Sequence, residues 1–245
     1  MELFTEYGTI LILMAAAFGF FMAWGVGAND VANAMGTSVG SKALTIKQAI
    51  LIAMVFEFAG AYLAGGEVTS TIRKGIVDSA VFTDQPDLLV FGMLSALLAA
   101  GTWLAVASYM GWPVSTTHSI VGAIVGFAAV GVSYDAVNWG KVSTIVASWV
   151  VSPVMAGTIS FAIFRSVQRL ILVQDNPFDR AKKYAPMYMF AVGFLMAMVT
   201  LLKGLKHVFK DIGIKLSYGE NVLVAVGFGI LVTIIGTYLL SKVER

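Results

Sequence analysis

Asn29, Asp30 and Asn33 stand inside GVGANDVANAMG, Gly25 to Gly36, at the end of a long apolar run. On a helix these three polar side chains share an arc of about 100°, while Gly25, Ala28, Ala32 and Gly36 occupy a neighbouring arc of small side chains. One face coordinates and the other packs. A carboxylate beside amide oxygens can hold a sodium ion, and the carboxylate alone can hold a proton. The alternative is that the two asparagines only bond neighbouring helices and Asp30 lies at the headgroup boundary. Against it, a carboxylate at bilayer depth costs about 2.5–3.5 kcal/mol on insertion scales and needs a compensating charge.

The second group is Trp112-Pro113-Val114-Ser115-Thr116-Thr117-His118-Ser119. Proline favours a helix start and a hydroxyl just after it can cap free amides, so this stretch predicts the N-terminus of a short helix through Ile120. Such a terminus offers amide donors and a positive dipole end, and the hydroxyls of Ser115, Thr116 and Thr117 add donors suited to a tetrahedral oxyanion. An ordinary polar cap at a loop tip is the competing reading. Taken together the two groups say more. An oxyanion about 5 Å from Asp30 meets about 3 kcal/mol of repulsion per charge pair at an effective dielectric near 20, so a positive charge must lie between them. Sodium on Asp30 with Asn29 or Asn33, or a proton on Asp30, supplies it, and coupled binding of cation and anion is what a symporter requires. Glu57, mid-way along another apolar run, is either a second cation or proton site or a carboxyl bonded to its neighbours. His118, flanked by hydroxyls, is read as hydrogen-bonded rather than as a proton shuttle.

The elements that must position these residues are membrane helices. With 58% hydrophobic and 12% charged residues and a mean hydropathy of +0.85, the chain lies far outside soluble composition. An all-α polytopic membrane protein is the expected fold class. The net charge of +2 is too small and too scattered for a nucleic-acid surface, and the absence of cysteine removes disulfides and thiolate metal sites. No Lys or Arg precedes Lys42, so the first apolar run reads as a retained span and not a signal peptide. Between Glu6 and Lys42 the only charge is Asp30. As one straight helix that run would be roughly 50 Å long against a hydrocarbon core of roughly 30 Å, and its clustered glycines predict a break near Asp30. Further spans are expected at Ala49–Gly65, Leu88–Met110, Val142–Phe164 with a possible kink at Pro153, Pro186–Leu202 and Asn221–Leu240. Glu67–Asp87 is expected to be a polar connection, a short helix or a loop. Ile120–Val132 gives only about 20 Å of helix, which favours a re-entrant hairpin with Leu88–Met110.

The basic segment Arg165–Ala185, expected to be a loop, is placed in the cytoplasm by the positive-inside rule, which sets the N-terminus outside. The same count puts Lys203–Glu220 outside despite four lysines, against the rule.

GANDVANAMGTSVGSKALT, Gly27 to Thr45, and PVSTTHSIVGAIVG, Pro113 to Gly126, resemble the signature stretches of the inorganic phosphate transporter, or PiT, family of sodium- or proton-coupled symporters. The resemblance runs from about Trp24 to Ser160 and includes an acid that Glu57 matches. It implies inverted repeats, each with an interrupted helix carrying the Asn-Asp motif and a re-entrant hairpin with a Ser-Thr-Thr tip, around a phosphate site near the bilayer midplane. On this resemblance Ser115, Thr116 and Thr117 hold phosphate, Asn29 and Asp30 the cation, and Asn33 either or both, with Glu57 as a further cation or proton site and Asp30 in reach of the substrate. Only one repeat is evident, because Gly227–Gly236 contains no acid. The implied organisation is a first repeat at 1–164, a basic cytoplasmic loop at 165–185, and two spans at 186–245 leading toward a second repeat.

The expected function is therefore cation-coupled phosphate transport in a cell membrane, plasma or inner. The expected partners are phosphate, sodium or protons, the bilayer, and either a second repeat or a homodimer partner. A sulfate or other oxyanion permease is the runner-up, and a non-transporting membrane subunit or receptor the alternative of another class. An enzyme is not expected, since no nucleophile with a paired base, metal-ligand cluster or nucleotide loop is present.

Overall fold

The computed structural model describes residues 2–77, 79–83 and 85–243. These residues are helical throughout apart from connections and one isolated antiparallel bridge, Val77 to Val137. In chain order the helices are α1 (Glu2–Gly40), α2 (Ile46–Gly75), α3 (Pro86–Met110), α4 (Thr116–Gly131), α5 (Trp139–Val167), α6 (Pro177–Val199), α7 (Lys206–Asp211) and α8 (Tyr218–Ser241). Six of them are long and apolar enough to cross a membrane; α4 and α7 are not among them. The chain divides into two compact units, Met1–Ala59 with Val68–Ile145, and Gly60–Glu67 with Val146–Arg245.

The first unit is built on α3. Its small and apolar residues Ala96, Ala100, Leu104 and Ala107 are buried beneath α1 and α4, which contributes Val121, Ile124 and Ala128. Close approach fixes this packing. A Cβ added to Gly25 of α1 would lie 3.0 Å from Leu104 Cβ, and one added to Gly101 would lie 2.8 Å from the Phe21 ring and 3.3 Å from Met22 Cα. The Phe127 ring of α4 lies directly on Gly92. Small residues at such crossings let helix backbones meet where no hydrophobic drive separates protein from lipid.

The break expected near Asp30 is absent. α1 is one continuous helix of 39 residues, about 58 Å long, so it tilts across the hydrocarbon core or extends beyond it. The physical reason lies in the partners. Gly25 serves the contact with α3 rather than a bend, and the polar side chains bond across to another segment instead of competing for their own backbone.

Two other connections also differ from expectation. α2 carries the chain to Gly75, followed by a 3₁₀ turn at Ser79–Phe82, so much of the Glu67–Asp87 connection is helix; Asp78 and Asp84 lie outside the described residues. Arg165–Ala185 is not a loop. α5 runs on through Pro153 to Val167, a π turn covers Gln168–Leu172, and α6 already begins at Pro177. Pro177 takes the first turn of α6, where the missing N–H costs nothing, and Pro186 sits inside the helix instead of opening it.

In the second unit α6 packs on α8 through glycines. A Cβ on Gly193 would lie 3.1 Å from Val232 Cβ and 3.2 Å from Gly229 Cα. Ser166 and Tyr188 join α5 to α6 by a 2.7 Å hydrogen bond.

Candidate functional site

The site begins with the way α3 stops. Gly111 adopts φ +71°, a left-handed cap that non-glycine residues occupy at a cost, and its N–H with that of Trp112 closes the last turn on Ala107 and Ser108. The chain then runs extended through Pro113 and Val114 to Ser115, the N-cap of α4, whose hydroxyl accepts from His118 N at 3.3 Å. The expected helix start after the proline is thus present, with Ser115 as its cap. Capping leaves the Thr116 and Thr117 amides at the open end of α4 without intrahelical acceptors.

This tip meets the Asn-Asp group of α1. Thr116 Oγ1 donates to Asp30 Oδ2 at 3.2 Å. Asn29, only 5% exposed, donates from Nδ2 to Trp112 O at 3.0 Å and accepts at Oδ1 from Val114 N at 3.2 Å. Asn33 Nδ2 donates to the same Oδ1 at 3.1 Å. Both lone-pair directions of Asn29 Oδ1 are therefore occupied, whereas Asn33 uses only its nitrogen and keeps its oxygen available. Asp30 is half-buried, Thr117 and Asn33 are exposed, and Ser115 and Thr116 are half-buried.

The structure thus brings Asn29, Asp30, Asn33, Ser115 and Thr116 to one place. Glu57 is not part of that bonded group; it is exposed on α2. Among the described residues no cluster of three or more His, Cys, Asp or Glu could hold a metal ion. A cation at this place would therefore rest on one carboxylate, Asp30, with neutral oxygens such as Asn33 Oδ1, a donor set that suits a monovalent ion. Chemically the site pairs a helix N-terminus rich in hydroxyl and amide donors with a single acid.

Sequence reasoning missed the backbone groups of Trp112 and Val114. Pro113 was the available signal, since an extended turn around a proline leaves flanking peptide groups without regular partners.

A family model described as the phosphate transporter family matches residues 26–235, well past the stretch that carries the two motifs. A Haemophilus influenzae protein named as a candidate phosphate permease is 51% identical over 231 residues, 94% of this chain and 54% of its own length. The Arabidopsis thaliana protein "Inorganic phosphate transporter 2-1, chloroplastic" is 52% identical over 185 residues, 76% of this chain and 30% of its own. A solved structure named "The sodium-dependent phosphate transporter" is similar with a TM-score of 0.83 and 40% identity, over 96% of this chain and 56% of that one. The chain spans about half the length, or less, of these relatives. Six span-length helices and these likenesses make it a multi-pass membrane protein of a transporter family and not an enzyme. The chain belongs to the phosphate transporter family.

Proposed function

We propose that this protein moves inorganic phosphate across a cell membrane together with sodium. The Thr116 to Asp30 hydrogen bond of 3.2 Å is the observation that carries the reading. It sets the donor-rich end of α4 against the one acid of the site, so an oxyanion bound there lies about 5 Å from Asp30. At an effective dielectric near 20 that proximity costs about 3 kcal/mol unless a cation or proton neutralises the acid. Occupancy of the two sites is then linked, and linkage of this kind is reciprocal.

In this reading Ser115, Thr116 and Thr117, with the first amides of α4, hold phosphate, and Asp30 with Asn33 holds sodium between the acid and the anion, the single Thr116 hydroxyl hydrogen turning from Asp30 to the anion once sodium is bound. Helices α3 and α4 form a re-entrant hairpin with its tip at Gly111–Ser115. The N-terminus faces outward, and a second repeat supplies the other side of the site. Glu57 stands apart as a second cation or proton site. The name of the solved relative, sodium-dependent, supports sodium over protons as the coupling ion.

Uptake of labelled phosphate into proteoliposomes holding the full-length protein, with sodium and pH gradients imposed separately, is the test. Uptake driven by the sodium gradient alone is expected, with sulfate a poor competitor because it carries no proton to donate to an acceptor of the site. Uptake indifferent to sodium overturns sodium coupling, and equal competition by sulfate overturns phosphate selectivity.

A further inference from the structure

Asn29 holds more of the site together than any other side chain in it. It is one of two buried polar residues among those described, and its carboxamide is bonded at three points. Two of those points straddle Pro113: Nδ2 donates to the carbonyl before the proline, and Oδ1 accepts from the amide after it. The extended chain through Pro113 takes these two groups out of the regular helical pattern of α3 and α4, and Asn29 supplies their partners. The carboxamide presents a donor and an acceptor side by side, as a peptide unit does in a sheet ladder.

We infer that Asn29 is a positioning residue that latches the Trp112–Val114 turn to α1 and so holds the open end of α4 against Asp30, rather than a ligand of the transported cation. The inference rests on the proposed phosphate site only for what the latch serves. Its geometry is independent of any ion. Cation ligation by Asn29 Oδ1 would have to displace Val114 N or Asn33 Nδ2, both already seated on it. Asn33 plays the supporting part: its amide fixes the Asn29 rotamer from one helical turn away and turns its own oxygen free, so the ligand role falls to Asn33 and Asp30.

Hydrogen exchange at the Val114 amide reads the latch directly, in the full-length protein in phosphate-free nanodiscs. In the wild type, saturating sodium against a choline control is expected to leave protection of the tip peptide unchanged or higher. Deprotection of Val114 by sodium would overturn the inference, because it means that the ion pulls Oδ1 away. Asn29→Leu, nearly isosteric but without donor or acceptor, is expected to raise exchange at the tip at least tenfold while peptides of α6 and α8 keep their protection. Unchanged tip exchange in this variant would also overturn it. Should the variant fail to fold, the wild-type sodium comparison still decides. Sodium-driven uptake by the wild-type preparation is scored separately: its absence removes the transport reading and leaves the latch result standing.

Discussion

At the scale of single residues, the hydroxyl of Thr116 and the carboxyl of Asp30 carry the argument. Thr116→Val keeps the shape and deletes the donor. A hydrogen bond to a charged group contributes about 1.5–3 kcal/mol, so the phosphate half-saturation of uptake is expected to rise roughly 10- to 100-fold, with Thr116→Ser restoring most of it. Asp30→Asn removes the charge that demands a cation, and cation-driven uptake is expected to fall at least a hundredfold. Were Asp30 only a packing group, that variant would keep its uptake. The residue types of this site were legible in the sequence, because an acid and two amides at bilayer depth need a compensating partner wherever they point. Their division of labour was not. The partners of Asn29 are peptide groups 83 and 85 residues away, and a backbone carbonyl or amide has no letter in the sequence. Asn29 and Asn33 therefore read alike in the sequence, and only the bonds of Asn29 to Trp112 and Val114 tell them apart.

At the scale of elements, α1 shows why composition misleads about continuity. Clustered glycines lower helix propensity by about 1 kcal/mol each, and without knowledge of a partner that reads as a break. The partner is α3, and the residue that meets it most closely is Gly25. Gly25→Val is expected to wedge α1 away from Leu104, lowering stability by about 1–3 kcal/mol through overpacking and separating Asn29 from the tip. Gly27, by contrast, has nothing within 4 Å of an added Cβ among the described residues. Gly27→Ala is expected to stabilise α1 slightly and to leave uptake intact, whereas a glycine required for a break would give the opposite result. Thermal unfolding in detergent, paired with uptake, separates the two cases. The start of α6 fails for a related reason. Pro177 and Pro186 carry the same letter, and the first helical bond, from Arg180 N to Asn176 O at 3.1 Å, shows which one opens the helix.

At the scale of the whole molecule, the exposure of polar groups matters more than that of apolar ones. The most apolar 18-residue stretch of α5 has no buried residue, although Val142 near the start of the helix is buried; such exposure costs little in lipid, whose tails are as apolar as the side chains facing them. Asn33 is exposed and Asp30 half-exposed on a helix of span length, and these groups do not stay against hydrocarbon without cost. Something polar must cover this face of α1. The two candidates are a second repeat in one polypeptide and a second copy of the protein, and the relatives, about twice as long as this chain or longer, favour the first. Co-reconstituting full-length wild type with Asp30→Asn at varied ratios distinguishes them without a structure. If each polypeptide completes its own site, uptake falls in direct proportion to the fraction of variant. If two copies instead complete one site on their symmetry axis, that site needs Asp30 from both, and uptake falls as the square of the wild-type fraction because a mixed pair is dead. The proportional decline is expected, and a square-law decline would move the covering surface from the same chain to its neighbour.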